Sequence, residues 1–255
     1  MPRAKRYFES GLTWHITHRC HKKEFLLKFA RDRKRYIFWL YQAKKKYGLK
    51  VLNYMVTSNH IHLLVIDKNK SPSDVIPRSM QLIAGRTAQE YNKRKNRRGA
   101  FWEDRYHVTL VDTDDYLNQC ITYIDMNMVR AGVVSHPKEW MYCGYYEMLT
   151  FRKRYTILDT QMLLDLFSLT NLVDSVEHRR FTVDSAILKN HYLVRDKKWT
   201  ESVAVGRQHF LDKVKKESAG KARGRKVELE ENSYVLKELK APYIQNSCQK
   251  KHSKC

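Results

Sequence analysis

The run TSNHIHLLVI, residues 57–66, constrains this chain more than any other stretch, because it sets two ionisable side chains inside a segment that has to be buried. Leu63, Leu64, Val65 and Ile66 follow one another without a polar break, the pattern of a central strand covered on both faces. On a strand the side-chain period of two puts His60 and His62 on one face, with Ile61 between them on the other. Two imidazoles placed in this way can chelate a cation. They can equally be two hydrogen-bonded core histidines, since an H-x-H pair often arises by chance, so the rest of the chain has to decide.

The flanking segments predict the frame. Residues 11–17 alternate as a first strand, and residues 25–47 show helical spacing, with Phe25, Phe29, Ile37, Leu40 and Tyr41 among Lys and Arg until Gly48 stops them. Residues 50–56 read as a second strand, joined to the histidine strand by the turn Thr57-Ser58-Asn59 as an antiparallel hairpin. Residues 73–92, capped by Ser73 and Asp74, form a second helix with Val75, Met80, Ile83, Ala84, Ala88 and Tyr91 on its apolar side, and residues 101–111 read as a fourth strand. The expected fold is therefore α+β, a ferredoxin-like antiparallel sheet with two helices on one face. A third helix, residues 114–130 closed by Gly132, is expected near the other face, with Leu117, Ile121, Ile124 and Met128 as its apolar stripe. Tyr116, Cys120, Tyr123 and Asn127 line up beside that stripe, so a tyrosine hydroxyl and an amide would meet the imidazole pair. The alternative is that Tyr123, one of sixteen tyrosines, lies at the rim of the core.

Charge points to the partner. Lys and Arg outnumber Asp and Glu 49 to 27, a formal charge of +22, and residues 1–150 alone carry 27 basic and 14 acidic side chains. Such a balance asks for a polyanion. The five cysteines are odd in number and share no C-x-x-C spacing, which with the absence of an apolar leader or membrane span gives an expected cytoplasmic protein with reduced thiols and no membrane partner. His15, His18, Cys20 and His21 have no second pair at zinc-ligand spacing and read as surface and strand residues. The basic run Lys93, Arg94, Lys95, Arg97 and Arg98 reads as a phosphate-binding arm, while Trp102 and Tyr106 either stack on unpaired bases or belong to the core.

TSNHIHLLV, the strand Phe101-Trp102-Glu103 and the later Y-I-D-M-N-M-V-R-A-G, residues 123–132, together resemble the single-tyrosine HUH transposases, specifically those associated with repetitive extragenic palindromes. The resemblance covers about the first 150 residues and departs from the family pattern at Met128, where proline is common; methionine lets a helix continue. It implies that Tyr123 is the nucleophile, that His60 and His62 hold Mg²⁺ or Mn²⁺, and that Asn127 helps ligate the ion. It also implies cleavage and rejoining of single-stranded or hairpin DNA, repetitive palindromes among it, through a 5′-phosphotyrosine, by a monomer or homodimer. A catalytically silent nucleic-acid-binding module or repressor derived from a transposase is the alternative.

Two domains are expected: a catalytic one over residues 1–150 and a basic, mainly helical extension over 151–255. Short helices are read over residues 162–169 and 203–214, a basic loop KARGRK over 221–226, and a disordered tail QKKHSKC. The chemistry is expected to need nothing after Thr150. The extension would either select the DNA or pack Leu163, Leu164, Leu166 and Phe167 onto the catalytic domain.

Overall fold

The structure, a computed structural model, describes residues 11–67, 74–151, 154–217, 225–230 and 233–238. Ser73, most of the KARGRK run and the QKKHSKC tail lie outside the described residues.

Strand β1 (Thr13–Arg19) lies at the centre of the N-terminal sheet. It pairs antiparallel with β3 (His60–Ile66) on one side and with β4 (His107–Val111) on the other, and β2 (Lys50–Val56) closes the far edge against β3. Helices α1 (Ala30–Tyr47) and α2 (Val75–Arg94) pack on each other across one face, joined by the Arg35–Glu90 and Arg94–Asp32 ion pairs. Gly48 ends α1 in the left-handed conformation, φ 72°, and returns its N–H to the Lys44 carbonyl. Helix α3 (Asp115–Asp125) and the short α4 (Asn127–Arg130) follow β4 on the other side of the sheet. This is the expected α+β layout, with the tyrosine-bearing helix opposite the α1–α2 pair.

The boundaries differ in places with a physical reason. Helix α1 starts at Ala30 rather than near residue 25; Lys22 and Lys23 have positive φ and the chain turns there, so Phe25 and Phe29 are 65% and 56% exposed instead of facing the core. Only residues 107–111 of the expected fourth strand form a ladder, while Trp102 makes an isolated bridge to Cys20. The helix over 114–130 breaks at Met126, whose ψ of 0° is too shallow for a regular turn, and resumes at Asn127.

After Thr150 the chain supplies α6 (Thr160–Phe167) and α7 (Leu172–Leu188), which pack on each other, with α5 (Gly144–Leu149) before them and α8 (Lys198–Glu201) after. The sheet also continues past that point. Strand β5 (Ala204–Gly206) pairs parallel with β4, and β7 (Ser233–Glu238) and β6 (Arg225–Glu230) extend it to seven strands in the order β2-β3-β1-β4-β5-β7-β6. The segment read as a helix over 203–214 is β5 followed by α9 (Gln208–Glu217), because Gly206 sits against Asp112 and Phe210 so closely that a Cβ would lie 2.5 Å from the Asp112 Cβ. Strand β6 begins at Arg225, inside the run expected as a basic loop.

A buried ionic network ties the two halves together. Arg179 of α7 donates from Nε to Asp125 Oδ2 at 2.8 Å, and from Nη2 to Asp125 Oδ1 and Asn53 Oδ1 at 2.7 Å each. Asn53 donates in turn to Asp125 Oδ1 at 3.0 Å and to the Ile121 carbonyl at 3.2 Å. The network therefore joins β2, α3 and α7 with every charge paired. Arg179→Leu should cost about 3–5 kcal/mol of unfolding free energy, because it leaves the Asp125 carboxylate buried alone. The double variant Asp125→Asn, Arg179→Leu should recover part of that loss; urea unfolding curves measure both, and a single-variant loss under about 1 kcal/mol would mean that water reaches Asp125.

Candidate active site

Strand pairing fixes which histidines meet. Thr17 faces His62 and Arg19 faces His60 across β1 and β3, so the His60–His62 face of β3 is also the face of His15 and Thr17 on β1. That face looks towards α3 and α4, where Asn127 begins the helix that follows the break at Met126.

The four residues singled out in the sequence converge on one cleft. Asn127 Nδ2 lies 3.0 Å from His62 Nε2 and 3.4 Å from His60 Nε2, which brings both lone pairs to one amide. The Tyr123 ring stands edge-on to His62, with centroids 6.1 Å apart, and Tyr123 is only 1% exposed. A cavity of 710 Å³ is lined by all four, together with cationic side chains from Arg19, Arg105, Arg130 and Arg195 and acidic ones from Glu103, Asp104 and Glu201.

Hydrogen bonds set the tautomers. His60 Nδ1 is 2.7 Å from Asn59 Oδ1, an acceptor, so Nδ1 carries the proton and Nε2 turns its lone pair to the cleft. The Thr57 hydroxyl donates to the His60 carbonyl at 2.8 Å and accepts from the His60 N–H at 3.0 Å, which holds the turn ahead of the strand. His62 Nδ1 is 2.8 Å from His15 Nε2, and His15 Nδ1 is 2.8 Å from the Trp199 carbonyl. Burial keeps these rings neutral, lowering His15 to about 3, His60 to about 4 with help from Arg19 and Arg130, and His62 well below its ordinary value.

The tyrosine is set differently. Burial raises its pKa, while Arg130 and then Arg195 pull it back. The Arg130 guanidinium lies over the Tyr123 ring, 4.3 Å from its centroid, and is held by the Tyr192 carbonyl at 3.0 Å. The Trp199 ring lies beside that of Tyr123, tilted by 34° with centroids 6.2 Å apart. Trp199, Arg195, Thr200 and Glu201 all come from beyond Thr150, so the surroundings of Tyr123 are not built by residues 1–150 alone.

The remaining expectations fall elsewhere. None of Lys93, Arg94, Lys95, Arg97 or Arg98 lines the cleft; Arg94 pairs with Asp32 and Arg97 with Glu24, leaving Lys93, Lys95 and Arg98 exposed around the end of α2. Trp102 is half-buried, with its ring 4.0 Å from that of His18 and its N–H on the Ala84 carbonyl. His15, read from the sequence as an ordinary strand residue, is in contact with the site. Only the strand register could have revealed it, since parity along β1 does not say which face meets β3.

Among the described residues no three His, Cys, Asp or Glu side chains group as a metal site. The two Nε2 lone pairs meet at the Asn127 amide nitrogen, and with the amide turned over its oxygen would join them, a set of imidazole and amide oxygen that suits a divalent ion of intermediate hardness. Among the described residues no helix is long and apolar enough to cross a membrane.

Comparison with known proteins gives a family match over part of the chain. Residues 9–127 match the family described as Transposase IS200 like. A solved REP-associated tyrosine transposase bound to a REP hairpin aligns with 62% of this chain and 90% of its own, at 17% identity and a TM-score of 0.46. A transposase candidate from Deinococcus radiodurans R1 aligns with 47% of this chain and 91% of its own, at 18% identity and a TM-score of 0.33. No curated protein matches the chain.

The neutral imidazoles give a pH dependence with a definite sign. The unfolded chain takes up a proton at each histidine near pH 6.5, while folded His15 resists down to about 3. Stability contributed above pH 6.5 is therefore lost as the pH falls, by about 1.4 kcal/mol per unit for each such ring. Urea midpoints should drop between about pH 7.5 and about pH 5, with the Cε1–H resonances of His15 and His62 unmoved over that range. A titration of either ring centred near pH 6.5 would contradict a dry pocket.

Proposed function

We propose, from the premise that residues 9–127 carry an IS200-like transposase domain, that this chain cuts and rejoins single-stranded or hairpin DNA through a covalent bond to Tyr123. The observation that carries the reading is the meeting of Tyr123, His60, His62 and Asn127 in one cationic cleft. That the REP-associated relative was solved on a REP hairpin agrees with a hairpin as the DNA form.

In this reading Arg19, Arg105, Arg130 and Arg195 draw the phosphodiester backbone into the cleft by charge. His60 and His62, through Nε2, and Asn127, through its side-chain oxygen once the amide turns over, would hold Mg²⁺ or Mn²⁺. A bound ion would polarise the scissile phosphate and offset the charge that builds on its oxygens. The Tyr123 oxygen attacks phosphorus, the bond from phosphorus to the 3′-oxygen breaks, and the loss of the phenol proton is balanced by protonation of the departing 3′-oxygen to a 3′-hydroxyl. The product is a 5′-phosphotyrosine whose reversal rejoins the strand.

The energetic obstacle is the phenol. A free tyrosine at pH 7 is ionised in about one molecule per thousand, a deficit of ~4 kcal/mol, and burial deepens it here. Arg130 over the ring and Arg195 nearby favour the anion and offset part of that cost. Seating a phosphate also restores anionic charge among the arginines, so cleft and substrate neutralise each other.

Tyr123→Phe should lose all covalent adduct on denaturing gels with 5′- or 3′-labelled single strands while DNA affinity stays within about three-fold, since only the attacking oxygen is removed. Adduct on the variant would reassign the nucleophile. His60→Ala and His62→Ala should each lower cleavage by at least about a hundred-fold, and EDTA should do the same to the unaltered chain until Mn²⁺ is restored. Undiminished cleavage in EDTA would rule out the ion.

A further inference from the structure

The chain of imidazoles behind His62 belongs to no part of the chemistry just described, yet its donors and acceptors can be assigned one by one. The Trp199 carbonyl can only accept, so the 2.8 Å contact requires the proton of His15 to sit on Nδ1. His15 is completely buried and neutral, which leaves its Nε2 with a lone pair. The 2.8 Å contact from that lone pair then requires a proton on His62 Nδ1. The two rings lie within 13° of a common orientation with centroids 5.0 Å apart, the spacing of imidazoles joined edge to edge by an N–H···N bond. His62 Nε2 is thereby left unprotonated and faces Asn127 at 3.0 Å.

We propose that His15 is a positioning residue for His62: accepting from His62 Nδ1 and held in its own tautomer by the Trp199 carbonyl, it dictates that His62 presents a lone pair to the cleft. The segment around Trp199 thus reaches the site through backbone, by way of one ring. Without His15 only the Asn127 amide bears on the choice, and because an amide can turn over to accept from Nε2–H it does not fix the tautomer, whereas a ring with its proton on Nε2 cannot ligate an ion. His60 has no such dependence, because Asn59 and the turn at Thr57 fix its tautomer from within its own hairpin. The inference rests on the reading of His62 as a ligand only for its effect on metal, not for the tautomer itself.

Two measurements on the full chain test it. In the metal-free protein, two-bond ¹H–¹⁵N correlation spectra should show His62 and His15 as Nδ1–H tautomers; an Nε2–H tautomer at His62 in the unaltered chain overturns the proposal outright. His15→Phe, close to isosteric but without an acceptor, should shift His62 towards Nε2–H and weaken Mn²⁺ binding, read by electron paramagnetic resonance, by about 10–100-fold. His15→Gln, whose side-chain oxygen can accept from His62 Nδ1, should keep the His62 tautomer and most of the affinity. A packing role alone predicts a different result, an unchanged His62 tautomer in His15→Phe, and that result overturns the proposal. If the unaltered chain binds no Mn²⁺ while its His62 tautomer responds to His15→Phe, positioning stands and the metal reading falls. If His15→Phe does not fold, the spectrum of the unaltered chain and the response of His15→Gln decide.

Discussion

Thr17 faces His62 across β1 and β3 and faces His107 across β1 and β4, and this register decides where every side chain of the cleft ends up. A slip of one residue would turn the whole histidine face of β3 to the α1–α2 layer and bring Ile61, Leu63 and Val65 round towards α3. What prevents it is the burial of both sets at once: the apolar residues need the helical layer, and the imidazoles need Asn59, His15 and Asn127. Polar and apolar satisfaction agree on a single register, the condition under which a sheet is strongly specified.

Much of the frame was legible in the sequence because it depends on local pattern. The H-x-H parity, the hairpin turn ahead of it and the one-turn spacing of Tyr123 and Asn127 are short-range facts, and the structure brings those four residues to one cleft. The misread parts depend on distant partners. Phe25 and Phe29 fit an apolar helical stripe, but the turn at Lys22 and Lys23 starts the helix later. The stretch after residue 203 looked helical because a three-residue strand is too short to show alternation, and only pairing with Leu110 and Val111 makes it one. His15 was invisible for a related reason: its partners lie at positions 62 and 199, and nothing near it in sequence distinguishes it from His18.

The electrostatics of the site run counter to the charge of the chain. A protein of formal charge +22 keeps three imidazoles neutral in its interior, and Arg130, which favours an anion at Tyr123, also helps suppress protonation at His60 and His62. One field serves both groups, because a phenolate and an uncharged imidazole are each the less protonated form. The ion pair of Arg195 with Glu201 moderates that field at the rim, and Arg130 is anchored by backbone carbonyls rather than by a carboxylate, which leaves its charge undiminished over the ring.

The parallel pairing of Leu110 with Ala204 also places a constraint in time. Ribosomes release a chain from its N-terminus, and contacts between distant segments wait on loop closure. The hairpin carrying His60 and His62 can form as soon as it emerges, but β4 remains an open edge until β5 follows, Asp125 waits for Arg179, and Tyr123 waits for Trp199. A high contact order of this kind slows the last stage of folding. The nascent chain therefore passes through a stage with its histidines in place and the surroundings of its tyrosine unbuilt, and the cleft closes only when the segment around Trp199 arrives.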